Sequence, residues 1–463
     1  MRPGVLTLAL AATLTTGCWT VWQGHTPDRA TEVAVHEVID RQVVRVGGRN
    51  DPAFEAVGFT ELVFDGRGEH HAYPALEDGR WRLVVDGVAG PSWVGIGDVA
   101  MSADGAHVAY AAEDDDGRWR VVADGRAGPA FDAIHADTLG FADTRRAILT
   151  YVASDRRGAR VVVNGRAGPA FDGVGLVRVD DRRLAYVARD GAWSRVVIGQ
   201  TPGPRYDEVP ELVVGGGRVA FVAVKDERFV LVVDGEQVTT PEDELVGLTV
   251  GASGRVACVV REGDREGVWV DGTRHPLHAR VDATTLRFSE DGARLAWVAR
   301  DPDGARVIVD GQAGPTYVEI DGPRFDAAGR VAYVGRRAGE SVVHVGDAAT
   351  RYPTWAGHVV TAGRRFAYLL RHGERTAVVS DRSRMVFDAV IPETLTFDAT
   401  GNRWGVVAVR RDDAALRVVL EGGATRPLEM DELSALATQD PTTRTPWATT
   451  ERVRGWVRAE LSR

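Results

Sequence analysis

Few residues in this chain stand at spacings that chemistry requires. The segment Gly251-Ala-Ser253-Gly-Arg255 sets a serine between glycines, but it lacks the last glycine of a nucleophile elbow and lies in a repeat turn. Eleven histidines form no metal signature: His70-His71 abut a strand and His275-Pro-Leu-His278 sits in a variable loop. A zinc site needs further ligands at definite spacing. Asp114-Asp-Asp116 gathers carboxylates suited to a weak calcium contact, yet the remaining ligands of a calcium loop are missing. The glycines follow the period of turns and not the spacing of a phosphate-cradling loop. Cys258 reads as a buried small hydrophobe. Catalytic, metal and cofactor residues are therefore expected to be none. Trp81, Trp119 and Trp193 begin valine-rich strands, where they would suit an aromatic rim for a sugar or peptide, whereas Trp93, Trp269 and Trp297 fall on core positions.

The elements that carry these residues recur. A pair of alanine and an aromatic residue appears as Ala72-Tyr73, Ala109-Tyr110, Ala185-Tyr186, Ala220-Phe221, Ala296-Trp297, Ala332-Tyr333 and Ala367-Tyr368. Looser copies are Thr150-Tyr151, Ala257-Cys258 and Gly405-Val406. Successive second members lie 37, 41, 35, 35, 37, 39, 36, 35 and 38 residues apart, which leaves no room for a linker between domains. A valine-rich strand follows each pair and ends in a turn signal, as in Val121-Val-Ala-Asp124-Gly125 or Val307-Ile-Val-Asp310-Gly311. Asp-Gly between two apolar runs predicts a type I′ hairpin, whose central residues both need positive φ. Behind the turn comes a segment such as Ala167-Gly-Pro-Ala-Phe171 or Ala313-Gly-Pro-Thr-Tyr317, and ahead of the pair a short strand such as Leu286-Arg-Phe288.

Each unit is thus four strands, enough for one twisted antiparallel sheet. One such sheet cannot bury both faces alone and must stack on copies of itself. The expected fold is all-β, a β-propeller of about ten four-stranded antiparallel blades with a short C-terminal helix; two smaller propellers in tandem are the alternative. The expected boundaries are 31–430 for the repeats and 431–463 for a linker and helix, in which Thr450 caps and Val453, Trp456, Val457 and Leu461 share one face. Residues 31–42 suit either a short helix or a leading strand. The pair of strands at 43–57 looks like half a unit, available to close the ring against the last blade.

Ser289-Glu-Asp291-Gly292-Ala-Arg-Leu-Ala296-Trp297-Val-Ala, followed by Val307-Ile-Val-Asp310-Gly311, resembles the WD40-like propeller repeat of bacterial envelope proteins. That repeat occurs in the Tol-system propeller protein and in prolyl-oligopeptidase-type peptidases. The resemblance covers roughly residues 43–430 and implies the fold; propellers host many activities. The peptidases carry a separate catalytic domain with its own nucleophile elbow, for which this chain has no candidate.

At the N-terminus Arg2 precedes an apolar run from Val5 to Leu14, too short to span a bilayer. Leu14-Thr15-Thr16-Gly17-Cys18 resembles the lipobox of bacterial lipoproteins, with Thr15 departing from the usual leucine. The resemblance implies a signal peptide over 1–17, lipid attachment at Cys18 and a tether over 18–30. Trp19, where inner-membrane retention uses aspartate, favours the outer membrane, facing the periplasm or the cell surface.

The net charge of −10 argues against a nucleic-acid partner, which selects a basic face. The expected function is a non-catalytic envelope lipoprotein that binds a protein partner through its propeller. A propeller enzyme or carbohydrate-binding protein with its site at the central channel is the alternative, because a site assembled from one position per blade leaves no linear motif. Changing Cys18 to Ala is expected to move the protein from the membrane fraction to the soluble fraction in its native envelope; unchanged membrane association removes the lipid anchor.

Overall fold

The computed structural model describes residues 6–7, 33–38, 41–46, 49–58, 61–65, 69–142, 147–180, 183–238, 244–398, 401–409, 416–422 and 425–427. Cys18, the tether and the expected C-terminal helix lie outside them. The chain divides into two compact units, Met1–Pro204 and Arg205–Arg463.

Among the described residues the chain forms eleven antiparallel sheets in sequence order. Sheets 1 to 5 span 6–54, 56–93, 95–131, 133–167 and 173–202; sheets 6 to 11 span 208–237, 244–274, 280–313, 319–352, 356–387 and 389–427. Sheet 8 shows the plan: Arg280–Phe288, Leu295–Asp301, Gly304–Val309 and Gln312–Ala313 pair each with the next. Sheets 2, 4 and 11 count five strands only because the first strand is interrupted and both pieces pair with the second. The fold class is all-β, built of propeller blades. Residues 31–42 resolve as strand: Val33–Val38 pairs with Arg41–Val46, and Leu6–Thr7 pairs in turn with Val33–Val38. The strands at 43–57 therefore belong largely to a sheet of their own, with Val35 in the register position that an aromatic residue holds elsewhere.

The alternation of side chains along each second strand joins the sheets. In Val256–Glu262, Val256, Cys258 and Val260 pack on sheet 6, while Ala257 and Val259 pack on sheet 8. Within each unit the alanine of an Ala-aromatic pair packs on the following sheet, in five cases against its aromatic residue. Ala72 shares a core with Tyr110, Ala109 with Tyr151, Ala257 with Trp297, Ala296 with Tyr333 and Ala332 with Tyr368. These alanines are completely buried or nearly so. Sheet 7 inverts the sizes: Cys258 stands in the aromatic position, and its register partner on the third strand is Trp269, where the neighbouring sheets 6 and 8 have Val232 and Ile308. Sheet 11 has Val406 in that position and supplies its bulk from Trp404, two residues earlier on the same face.

The Asp-Gly and Asn-Gly turns have positive φ at both central residues, 46° and 91° at Asp271 and Gly272, for example. Their carboxylates also reach back one hairpin. Asp271 Oδ1 accepts the Val256 N–H at 2.8 Å and Asp310 Oδ1 the Leu295 N–H at 2.8 Å. The other oxygen holds the cation one residue earlier, Arg255 and Arg294 respectively. Those arginines then donate to the next sheet: Arg255 to Ala293 O at 2.8 Å and Arg294 to Gly329 O at 2.9 Å. Arg365 does the same to Asn402 O and is clamped by both oxygens of Glu421 at 2.7 and 2.9 Å. The buried guanidinium, the Ser383 hydroxyl and the Ser380 hydroxyl hold the Glu421 carboxyl down at about 2 against the opposing effect of burial.

Cys258→Tyr is expected to overpack the sheet 6–7 interface by roughly 1–3 kcal/mol, and Trp269→Val to leave a cavity worth roughly 3 kcal/mol or more. The double variant should recover at least about 1 kcal/mol of the summed loss in a urea-unfolding double-mutant cycle; additive losses would show that the two side chains do not share one space.

Candidate functional site

The first strand of each sheet pairs on one side only, and in sheets 3 and 5 to 10 its register shifts by a bulge. A bulge turns backbone N–H groups out of the ladder and re-aims side chains. Carboxylates on the preceding sheet receive such groups, both at the bulges and where the first strand of sheet 4 is interrupted. Asp98 accepts the Asp137 N–H at 2.7 Å, Glu211 the Gly247 and Leu248 N–H groups at 3.2 and 2.8 Å, and Asp321 the His358 N–H at 2.5 Å. Burial raises the Asp98 carboxyl, against the lowering effect of the bond from Asp137.

The equivalent bulges of sheets 7 and 9 place glycine at positive φ, Gly247 at 66° and Gly322 at 115°, whereas His358 holds φ at 53° with a side chain, as Leu176 does at 48° in the bulge of sheet 5. An L-residue in this region costs roughly 1–2 kcal/mol, and backbone strain of this kind gathers at functional positions. Beside it Trp355 is 37% exposed, with its ring 5.9 Å from that of His358. Arg336 lies over the Trp355 ring at 5.8 Å, held by Glu319 at 3.0 and 2.7 Å and by Ala356 O at 2.9 Å. Arg336 so fixed lowers the Glu319 carboxyl. A Cβ on Gly357 would meet the Trp355 ring at 2.7 Å, so only glycine lets the indole lie there. Val318, 75% exposed, precedes Glu319. The result is an amphipathic ring with a guanidinium, a carboxylate and an imidazole around it, set on the first two strands of sheet 9 and the head of the first strand of sheet 10. Such a surface has the composition of a binding hot spot.

The residues singled out by sequence reasoning are spent elsewhere. The Ser253 hydroxyl donates to Gly292 O at 2.8 Å and ties sheet 7 to sheet 8. Asp114 receives the N–H groups of Asp116 and Arg118 and pairs with Arg120 at 2.5 Å, while Asp115 pairs with Arg80. Guanidinium groups thus occupy two of the three carboxylates that a cation would need. His278 lies 2.7 Å from Asp301, and His275 packs edge-on to Trp297. His71 is more engaged than its sequence context suggests: its ring nitrogens lie 2.8 Å from Asp51 and 3.4 Å from Asp86, and Tyr73 donates to the same Asp51 oxygen. Cys258 is buried, as read. Trp269 and Trp297 are core, and Trp93 is half-buried with its N–H on the Tyr110 hydroxyl at 3.1 Å. Of the three rim tryptophans only Trp193 is exposed; Trp81 and Trp119 are half-buried.

Other positions escaped the linear reading because they differ from the repeat only in register. His344 replaces the aliphatic residue opposite the aromatic position; it stacks on Tyr333 at 4.3 Å and lies 2.6 Å from the Tyr317 hydroxyl. Burial, then Arg337 and Arg351, lower its basicity. Arg178, Arg287 and Arg324 all lie opposite the repeat alanine, on Ala185, Ala296 and Ala332. Aligning the copies on that alanine would have exposed each of these departures. Glu55, Glu77 and Asp78 bring carboxylate oxygens within 4.8 Å of one another, but Arg41 already pairs with Glu77.

No protein-family profile matches the chain, and neither does any curated protein. Among solved structures, a eukaryotic initiation factor is similar over 77% of this chain and 96% of its own, at 10% identity and a TM-score of 0.34. TolB from Acinetobacter baumannii is similar over 54% and 80%, at 14% identity and 0.25. The β-propeller domain of the Trilobed protease from Pyrococcus furiosus is similar over 63% and 94%, at 9% identity and 0.25. The fold assignment stands on the sheets themselves.

His358→Gly is expected to preserve or raise stability in urea unfolding, by up to about 1 kcal/mol, because glycine adopts this φ freely. His358→Val should lower it by roughly 1–2 kcal/mol. Equal losses from both would mean that the imidazole itself, and not the backbone, stabilises the bulge.

Proposed function

We propose that this chain is a non-catalytic propeller scaffold of the bacterial cell envelope, lipid-anchored at Cys18, that binds a protein partner through the surface around Trp355. The observation that carries the binding reading is the exposed indole of Trp355, held by Arg336 and flanked by a strained His358 on rigid sheet edges. A partner would bury the ring and Val318 and meet charges already oriented by Glu319 and Asp321. The reading as a scaffold is supported by where the reactive groups go: first-strand carboxylates accept backbone N–H groups of the next sheet, and Ser253 ties two sheets together.

The anchor and the envelope location rest on the N-terminal sequence, together with the acidic balance that disfavours nucleic acid. Among the described residues no helix is long and apolar enough to cross a membrane. Cleavage before Cys18 would also remove Leu6–Thr7 and leave Val33–Val38 as the edge of sheet 1, an edge that needs cover or a partner strand.

A photo-crosslinking residue at position 355, introduced in the native host, is expected to yield a discrete protein adduct that Arg336→Ala weakens. The control is position 88, also exposed at 72% but belonging to the other compact unit. Adducts at 355 no stronger than at 88 would end the assignment of the partner surface to Trp355.

A further inference from the structure

We infer that Ala348–Tyr352, the last strand of sheet 9, takes up an extended segment of a partner protein as an added β-strand, with a carboxylate of that segment on Arg351. This surface goes beyond the one at Trp355 and rests on different residues.

The fourth strand ends the strand order of every sheet and so forms an edge. A bare edge invites pairing with other chains. Most edges of this chain are guarded. The fourth strands of sheets 1, 2 and 3 carry Pro52, Pro91 and Pro129, and a bulge breaks their register. Those of sheets 4, 6, 7 and 8 are two residues long, and those of sheets 5 and 11 contain Pro202 and Pro427. Proline supplies no N–H, and a bulge or a very short strand leaves no run to pair with. Among the described sheets only 9 and 10 lack these features, and sheet 9 has the longer strand, Ala348–Tyr352 against Arg384–Phe387. It pairs with Glu340–Val345 at five successive positions without a shift.

The geometry of that strand leaves its backbone open. Gly346-Asp347 is a two-residue hairpin turn, which makes Val345 and Ala348 a hydrogen-bonded pair. By alternation Thr350 and Tyr352 turn their N–H and C=O groups toward the sheet, whereas Ala349 and Arg351 turn theirs outward. Among the described residues nothing takes these outward groups. Ala348, Ala349 and Thr350 are small and exposed, so their side chains do not obstruct the approach of another strand.

The charge at this edge selects the partner. Arg337 and Arg351 share the carboxylate of Glu340, at 3.5 and 3.3 Å. His344, the register partner of Ala349, lies in the same field: after burial, Arg337 and Arg351 lower its basicity. A carboxylate on an added strand would give the second guanidinium a partner of its own, in a planar bidentate contact. The small edge residues leave room beside them for β-branched side chains. The occupant is therefore an extended segment in which aspartate or glutamate stands among valine, isoleucine or threonine.

Random peptides displayed on phage are selected against the full chain, and the enriched sequences are synthesised for fluorescence anisotropy and amide hydrogen exchange. They are expected to set an acidic residue among β-branched ones and to slow exchange at Ala349 and Arg351. Ala349→Pro removes one outward N–H without touching the ladder and should weaken binding roughly tenfold, the worth of one lost hydrogen bond. Arg351→Glu should weaken it at least as much, and Arg351→Lys less, because charge survives while the fork is lost. If Ala349→Pro fails to fold, Arg351→Glu and the exchange of the unaltered chain decide. Failure to enrich any peptide overturns the proposal, as does enrichment of basic peptides in place of acidic ones. Affinity unchanged in the variants, or no protection of the two amides, overturns it equally. None of these readouts involves position 355, so they succeed or fail apart from the surface at Trp355.

Discussion

The fit of one small side chain against one large one, repeated from sheet to sheet, holds each unit together. Alanine on one second strand leaves the space that tyrosine or tryptophan of the next sheet fills. Close packing of this kind penalises both a void and an added methylene. Where the aromatic residue is lost, its volume returns nearby: Trp269 stands across from Cys258, and Trp404 stands two residues before Val406. The constraint is therefore on the filled volume of an interface and not on the identity of one residue.

A second set of ties lies at the sheet ends. An Asp-Gly turn orients the arginine at the head of the strand behind it, and that arginine donates to a carbonyl of the following sheet. Exposed ion pairs of this geometry contribute little individually. Their value lies in direction, since each fixes the relation of one sheet to its successor. Together with the first-strand carboxylates, they make the stack a chain of nearest-neighbour contacts, as expected of repeat proteins.

Function has room only where the repeat is not needed for that purpose. The second and third strands are spent mostly on packing, Arg336 at the end of one being the exception. The first strands pair on one side only, and there the sequence departs from its period: histidine in a left-handed bulge, tryptophan in solvent, arginine opposite alanine. Rigid sheets hold these groups without further ordering, which lowers the entropic cost of binding.

The sequence by itself determined the unit, its four strands and the turn type, because these depend on residues within a few positions of one another. Alternation sets the faces of a strand, and Asp271-Gly272 carries its own backbone preference. It also marked Cys258, Trp269 and Trp297 as core. The stacking of the sheets decided the rest. Asp321 meets His358 37 residues later, and Arg294 meets Gly329 35 residues later, distances at which no local periodicity distinguishes one acid or arginine from another. Val33–Val38, open to helix or strand when read alone, became a strand because Arg41–Val46 offered an edge to pair with. Local propensity chose the pieces, and the contacts one repeat away chose which side chains share a site.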